Sequence, residues 1–246
     1  MIHDCFLYNG ETAMVDIQKG EYGDLKLISY AIGGNQTFTG KPTNLPFPSC
    51  NSLSIANLDA GTTPWEREAL QRNHIHSLLT FLNASDTDIV IIRDADEIFK
   101  WSAVKAYIAG HDGICCLQMD EYHFYLNTVA SRQSWRHPKI MRWRDLKNRK
   151  PNDVRAMGGP VIENAGWHFS WQGDVNAMMK KFQSFSHQEP EVQKMANPGI
   201  LRARVDNLYH LFTNEKLSVV GTGVLPVAVQ LELEKYTDNL YRNEDI

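Results

Sequence analysis

Apolar positions come in short, separated runs, and their spacing changes along the chain. Ile2 to Tyr8 reads as a first strand ending at the turn Asn9-Gly10-Glu11, and Leu25 to Ile32 as a second. Ile89 to Ile92 is an unbroken β-branched run, the pattern of a strand buried on both faces, and Ile114 to Met119 is another buried strand. Between them Ile75, Leu78, Leu79 and Leu82 recur at helical spacing. The start of that helix is explicit: Thr63 caps, Pro64 suits the first helical position, and Glu66 closes a capping box. The helix feeds directly into Ile89, the order of a parallel βαβ unit. Residues 43–62 read as an irregular connection with a short strand near Leu53. Ser102 is expected to cap a short helix ending near Gly110, and Asp174 one through Met178, Met179 and Phe182. Leu217 to Val220 and Val224 to Val229 read as late strands, and Leu231 to Tyr241 as a terminal helix. The alternation predicts an α/β fold with a mostly parallel central sheet flanked by helices.

Composition narrows this little. The 246 residues suit a single domain, 1–246, with 43% hydrophobic and 22% charged residues, ordinary values for a soluble protein. A formal net charge of -4 speaks against a dedicated nucleic-acid binder. No run approaches the roughly 18 apolar residues of a membrane span, and Met1-Ile-His-Asp4 lacks a signal peptide's basic start, so a cytoplasmic protein is expected. Cys5, Cys50, Cys115 and Cys116 form no staple pattern, and adjacent Cys115-Cys116, in an apolar run, read as buried thiols of a reducing compartment.

Candidate chemistry begins where the apolar run ends. Asp94, Asp96 and Glu97 follow Ile92, and the carboxyl ends of central parallel strands are where α/β sheets bind ligands. Asp94 and Asp96 lean the same way on an extended backbone. Two hard oxygen donors suit Mg²⁺ or Mn²⁺, ions that bridge a substrate's phosphates; the plainer reading is a polar exit from a strand. Arg67 and Arg72 lie five apart, about 140° around the helix, so one of them at most faces an anion at the sheet edge. The loop Gly33 to Pro42 lacks Walker spacing. Tyr122 to Asn127 is aromatic, and from Arg132 to Arg155 nine Lys or Arg stand against two Asp. That stretch suits a carbohydrate face, a phosphate or single strand, or a solvated basic loop. Asn164 to Gly173 reads as a tight turn carrying His168, a candidate third metal ligand beside the carboxylates, with His187 a second candidate.

Six short stretches, in order, resemble glycosyltransferase family 17, the β-1,4-mannosyl-glycoprotein N-acetylglucosaminyltransferases with bacterial and viral relatives. They are Asp4 to Glu11, Thr37 to Pro42, Trp65 to Asn73, Asp94 to Ile98, Gly166 to Ser170 and Ser184 to Glu189. The resemblance implies a GT-A-type fold, with 1–119 as the nucleotide-sugar half and 120–246 as the acceptor half. It implies an inverting transfer of a sugar, GlcNAc from UDP-GlcNAc, to a glycan or other hydroxyl acceptor. It implies Mn²⁺ (or Mg²⁺) held by Asp94, Asp96 and His168, with Asn9, Arg67, Arg72, Asp94, Lys180 and Lys181 toward the donor. The base is expected among Glu163, Glu121 and Asp206, with Glu163 favoured. Two departures stand out: Gly33-Gly34 replaces an acidic residue before the Thr-x-Thr-Gly-Lys motif, and Asp120 to Glu163 matches weakly. Two other classes remain as alternatives, a metal-dependent phosphohydrolase and a non-catalytic carbohydrate- or nucleic-acid-binding module. The first wants an Asp-x-Asp-x-Thr motif that Asp4-Cys-Phe-Leu-Tyr8 does not supply.

Overall fold

The computed structural model describes residues 1–22 and 25–242. Its strands are β1 (Ile2–Leu7), β2 (Ile28–Gly34), β3 (Ser52–Ala56), β4 (Ile89–Asp94), β5 (Glu97–Phe99), β6 (Cys115–His123), β7 (Thr128–Trp135), β8 (Lys139–Arg142), β9 (Val161–Ser170) and β10 (Ser218–Val219). The helices are α1 (Thr12–Tyr22), α2 (Pro64–Phe81), α3 (Trp101–Gly110), α4 (Trp143–Leu146), α5 (Pro151–Ala156), α6 (Val175–Phe182), α7 (Pro190–Gln193), α8 (Pro198–Asp206) and α9 (Val227–Leu231). The strands form one sheet in the order β10-β7-β6-β8-β4-β1-β2-β3, with β9 beside β6 and β5 beside β9. The expected α/β architecture is present. Its parallel core is β3-β2-β1-β4, and β6 pairs with β9 in parallel. β8 joins the two regions antiparallel to both β4 and β6.

The β-branched run in β4 explains why this strand is central. Val90 and Ile92 pack with Ile75 and Leu79 of α2, while Ile89 and Ile91 face Phe99, Val104 and Leu117 across the sheet. Both faces are dry, as in the parallel sheets of α/β folds, although β4 has a parallel neighbour on one side and an antiparallel one on the other. The Thr63 side chain accepts from Glu66 N at 3.2 Å and Glu66 accepts from Thr63 N at 3.0 Å, so the capping box forms as read. Among the described residues no helix is long and apolar enough to cross a membrane.

Other expectations are corrected. Asn164 to Gly173 is mostly strand, β9, rather than a tight turn, because Trp167 and Phe169 bury one face and His168 and Ser170 the other. Strands β7 and β8 occupy the segment read as basic and aromatic. The cap of α3 is Lys100, not Ser102. Val224 to Val229 is not a strand: Pro226 lacks an N–H for a ladder, and α9 begins just after it. Among the described residues no long terminal helix follows; Leu231 is 80% exposed, so its apolar pattern has no face to bury, and a short turn forms at Thr237–Asn239. Helix α1 had no counterpart in the periodicity, although Met14, Val15 and Ile17 are buried.

Candidate functional site

The loop Asp94-Ala95-Asp96-Glu97 leaves the carboxyl end of β4, and its backbone is held at every carbonyl. Arg93 Nη1 donates to Asp94 O at 3.2 Å and to Glu97 O at 3.0 Å. Gln18 Nε2 donates to Ala95 O at 2.5 Å, and Phe169 N to Asp96 O at 2.8 Å. Beneath it Arg93 and Asp4 form a fully buried fork, Nε to Oδ1 at 2.7 Å and Nη2 to Oδ2 at 2.6 Å. Such support fixes a constellation before any ligand arrives. It also disposes of Asp4 as a phosphohydrolase nucleophile, since that carboxylate is fully buried against Arg93.

Asp94 is engaged on both oxygens. Arg72 Nη2 donates to Oδ1 at 2.9 Å and Arg155 Nη2 to Oδ2 at 2.8 Å. Burial alone would raise the Asp94 carboxyl, but Arg155 and then Arg72 outweigh it and hold it down at about 2. Arg155 also forks onto Glu97, which is fully buried and accepts from Asp94 N at 2.7 Å and from the Trp135 indole. Of the helical arginines, Arg72 therefore reaches the sheet edge. Arg67 instead donates to Phe38 O at 2.9 Å and packs the Thr37–Lys41 loop.

Asp96 faces a different group. Lys181 Nζ lies 3.2 Å from Oδ2 and His168 Nε2 3.8 Å from Oδ1. Burial would depress the Lys181 ammonium, yet Asp96 and then Glu11 carry it above its ordinary value. The Glu11 carboxyl is raised, first by burial; Asn9 N donates to it at 2.7 Å. His168 reaches this position because β5 and β9 are zipped antiparallel with Glu97 opposite His168, and because Trp135 stacks on its ring at 4.1 Å. Gly166 permits the ladder: a Cβ there would sit 2.2 Å from Ile98 O. One oxygen and one nitrogen donor 3.8 Å apart match what a single cation spans with bonds of about 2.0–2.2 Å.

Behind His168 lies a buried cage. Oε1 of Glu121 is 3.1 Å from His123 Nε2, 3.8 Å from His168 Nδ1 and 4.0 Å from His210 Nε2. Among the described residues Glu121, His123 and His210 each offer one ligand atom within 4.8 Å of the others. Burial would raise the Glu121 carboxyl, but the hydrogen bond from His123 and the facing imidazoles lower it. Burial lowers both His123 and His210, the latter to about 4.

Of the sequence-derived residues, Asp94, Asp96, His168, Lys181, Arg72 and Glu121 thus come together. Lys180 is exposed on α6, and Asn9 is exposed at the end of β1. Glu163 is exposed on β9, five positions before His168 and about 17 Å along the strand. Asp206 is exposed at the end of α8, within electrostatic reach of Tyr125. His187 pairs with Glu189 at 3.3 Å beside Trp65, on the surface. Sequence reasoning missed Glu11, Arg93, Arg155, His123 and His210. Arg155 closes the basic stretch, and His123 lies two after Glu121 on one strand face, so both carried a signal. An open cavity of about 570 Å³ lies elsewhere, across β6 and β9 from the cage, beside Tyr122 and Trp167.

The fold is α/β, and this edge sets acidic side chains among guanidinium and ammonium groups outside parallel strands, where such folds bind ligands. The family model of glycosyltransferase family 17 matches residues 1–206, and the chain belongs to that family; it is a glycosyltransferase. Among solved structures, it is similar to the crystal structure of the galactosyltransferase LgtC in complex with donor and acceptor sugar analogs. Identity is 10%, coverage is 99% of this chain and 98% of that chain, and the TM-score is 0.34. No curated protein matches the chain significantly.

Proposed function

We propose that the chain is a metal-dependent inverting glycosyltransferase that takes a sugar, GlcNAc from UDP-GlcNAc, to a hydroxyl of a glycan or similar acceptor. The observation that carries this is the convergence of Asp96, His168 and Lys181, from three separate segments, beside the carboxyl end of β4. Asp96 and His168 would hold Mn²⁺ or Mg²⁺, with Asp94 beside them sharing its oxygens with Arg72 and Arg155. When bound, the ion supplies Lewis-acid neutralisation of charge on the leaving nucleotide diphosphate. Lys181 would give up Asp96 and meet the same phosphates. Trp135 and the Arg155–Glu97 fork keep the site in register during turnover. Inversion needs a base for the acceptor hydroxyl. Glu163, about 17 Å along β9 from His168, lies beyond hydrogen-bond reach of that centre, and Glu121 is caged by imidazoles, while Asp206 is exposed at the end of α8.

Calorimetric titration of UDP, with and without Mn²⁺, into wild type and Asp96→Ala tests the reading. UDP binding that depends on Mn²⁺ in the wild type and loses that dependence in the variant supports it. Equal metal dependence in both proteins, or no UDP binding under either condition, overturns it.

A further inference from the structure

The cage around Glu121 contains more polarity than a structural core needs. His123, His168 and His210 are each more than nine-tenths buried, and each keeps one ring nitrogen without a hydrogen-bond partner. The proton positions follow from the contacts. His210 Nδ1 accepts from Phe212 N at 3.1 Å and Thr213 N at 3.2 Å, so its proton is on Nε2, the nitrogen that faces Glu121. That leaves no lone pair directed at Glu121. Glu121, His123 and His210 therefore make a hydrogen-bonding cage and not a metal centre of their own. His123 Nε2, 3.1 Å from a carboxylate that only accepts, carries its proton there too.

His168 is the third ring against the same oxygen, and the only one of the three that also faces Asp96. Its Nδ1 is buried toward Glu121 and its Nε2 is directed at Asp96, both at 3.8 Å. Trp135 fixes the ring plane by stacking at 23°. A closing movement of about 1 Å brings Nδ1 within hydrogen-bond distance of the carboxylate. We infer that Glu121 is a positioning residue: its carboxylate keeps the proton of His168 on Nδ1 and so turns a bare Nε2 toward Asp96 and the cation proposed there, while His123 and His210 hold Glu121. The inference rests on the metal-dependent reading above. It reassigns Glu121 from candidate base to the carboxylate of a carboxylate–histidine–metal arrangement, in which the outer acid sets the tautomer and the basicity of the ligand.

The test measures the tautomer and the metal separately. Long-range ¹H–¹⁵N spectra of ¹⁵N-histidine-labelled, metal-free protein resolve the nine histidines, and the signal lost in His168→Gln assigns His168. The expected result is an Nδ1–H tautomer in the wild type that shifts toward Nε2–H in Glu121→Gln. Mn²⁺ affinity in the presence of UDP, read from the free-ion EPR signal, should fall about 10–100-fold in the same variant. An Nε2–H tautomer in the wild type overturns the inference, and that spectrum needs no variant to fold. Loss of transfer in Glu121→Gln with unchanged tautomer and Mn²⁺ affinity also overturns it, since Glu121 then acts on the acceptor directly. Failure of the wild type to bind Mn²⁺ removes the metal reading instead; the tautomer then decides the Glu121–His168 contact by itself.

Discussion

Replacing Arg93 by Met removes the cation on which both the sheet and the acidic loop depend. Asp4 and Arg93 have 0% side-chain exposure, so the substitution strands a carboxylate in the interior. Breaking a buried pair from one side costs about 3–5 kcal/mol. The two loop carbonyls, Asp94 O and Glu97 O, lose their donor as well, at about 1 kcal/mol each. A loss of roughly 5–7 kcal/mol compares with a whole-domain stability of roughly 5–15 kcal/mol, so Arg93→Met should be barely folded at 25 °C. The double variant Asp4→Leu/Arg93→Met removes the stranded charge and should recover at least about 2 kcal/mol of that loss. Urea unfolding followed through the six tryptophans gives both numbers, as a midpoint shift with unchanged slope. A loss below about 1 kcal/mol in the single variant, or a double variant as costly as the two singles summed, would refute the reasoning.

Gly166→Ala should cost more than about 3 kcal/mol or prevent folding, because the added carbon meets Ile98 O and the Phe99 backbone rather than a yielding side chain; soluble yield and melting temperature check it. His210 sets an acid limb. Burial, then His123, depresses it from 6.5 to about 4, so its stabilising contribution is full above pH 6.5 and lost as pH falls toward 4. Two and a half pH units at about 1.4 kcal/mol each come to roughly 3–4 kcal/mol, which His210→Phe should remove from the pH dependence of the urea midpoint. Glu11 has the opposite sign: its carboxyl is raised by burial, so stability falls as pH rises through its folded value. Glu11→Gln should therefore melt higher than wild type at pH 7.5, with the gain disappearing below the ordinary glutamate range.

Much of the frame was legible because it is local. The Ile89–Ile92 run, the Thr63 capping box and the Asp174 cap each depend on a few neighbouring residues, and all three form as read. The acidic pair after β4 was legible for the same reason. What was hidden depends on partners far along the chain. Arg155 is marked only by the basic stretch it closes, which does not say that it will clamp Asp94 and Glu97, and His210 lies beyond the stretch that resembles the family. Helix-like and strand-like apolar spacing misled near the C-terminus, where Pro226 and an exposed Leu231 prevent the expected pairing and packing. The segment 164–173 misled through its glycines and polar residues, because Gly166 serves close backbone contact within a strand, not a turn.

The ladder that sets Glu97 opposite His168 also bears on when this site comes into being. Asp96 and Lys181 are 85 residues apart, and Asp4 and Arg93 are 89 apart, so neither local helix formation nor one finished βαβ unit yields a competent site. Loop closure on that scale makes such pairings late events in folding. A ligand bridging Asp96 and His168 therefore has affinity for the completed chain and almost none for its intermediates. Bound donor would brake global opening rather than local breathing, raising stability by RT ln(1 + [L]/Kd) across the domain. On the function proposed above, nucleotide-sugar supply would then bear on this protein's lifetime against proteases as well as on its rate.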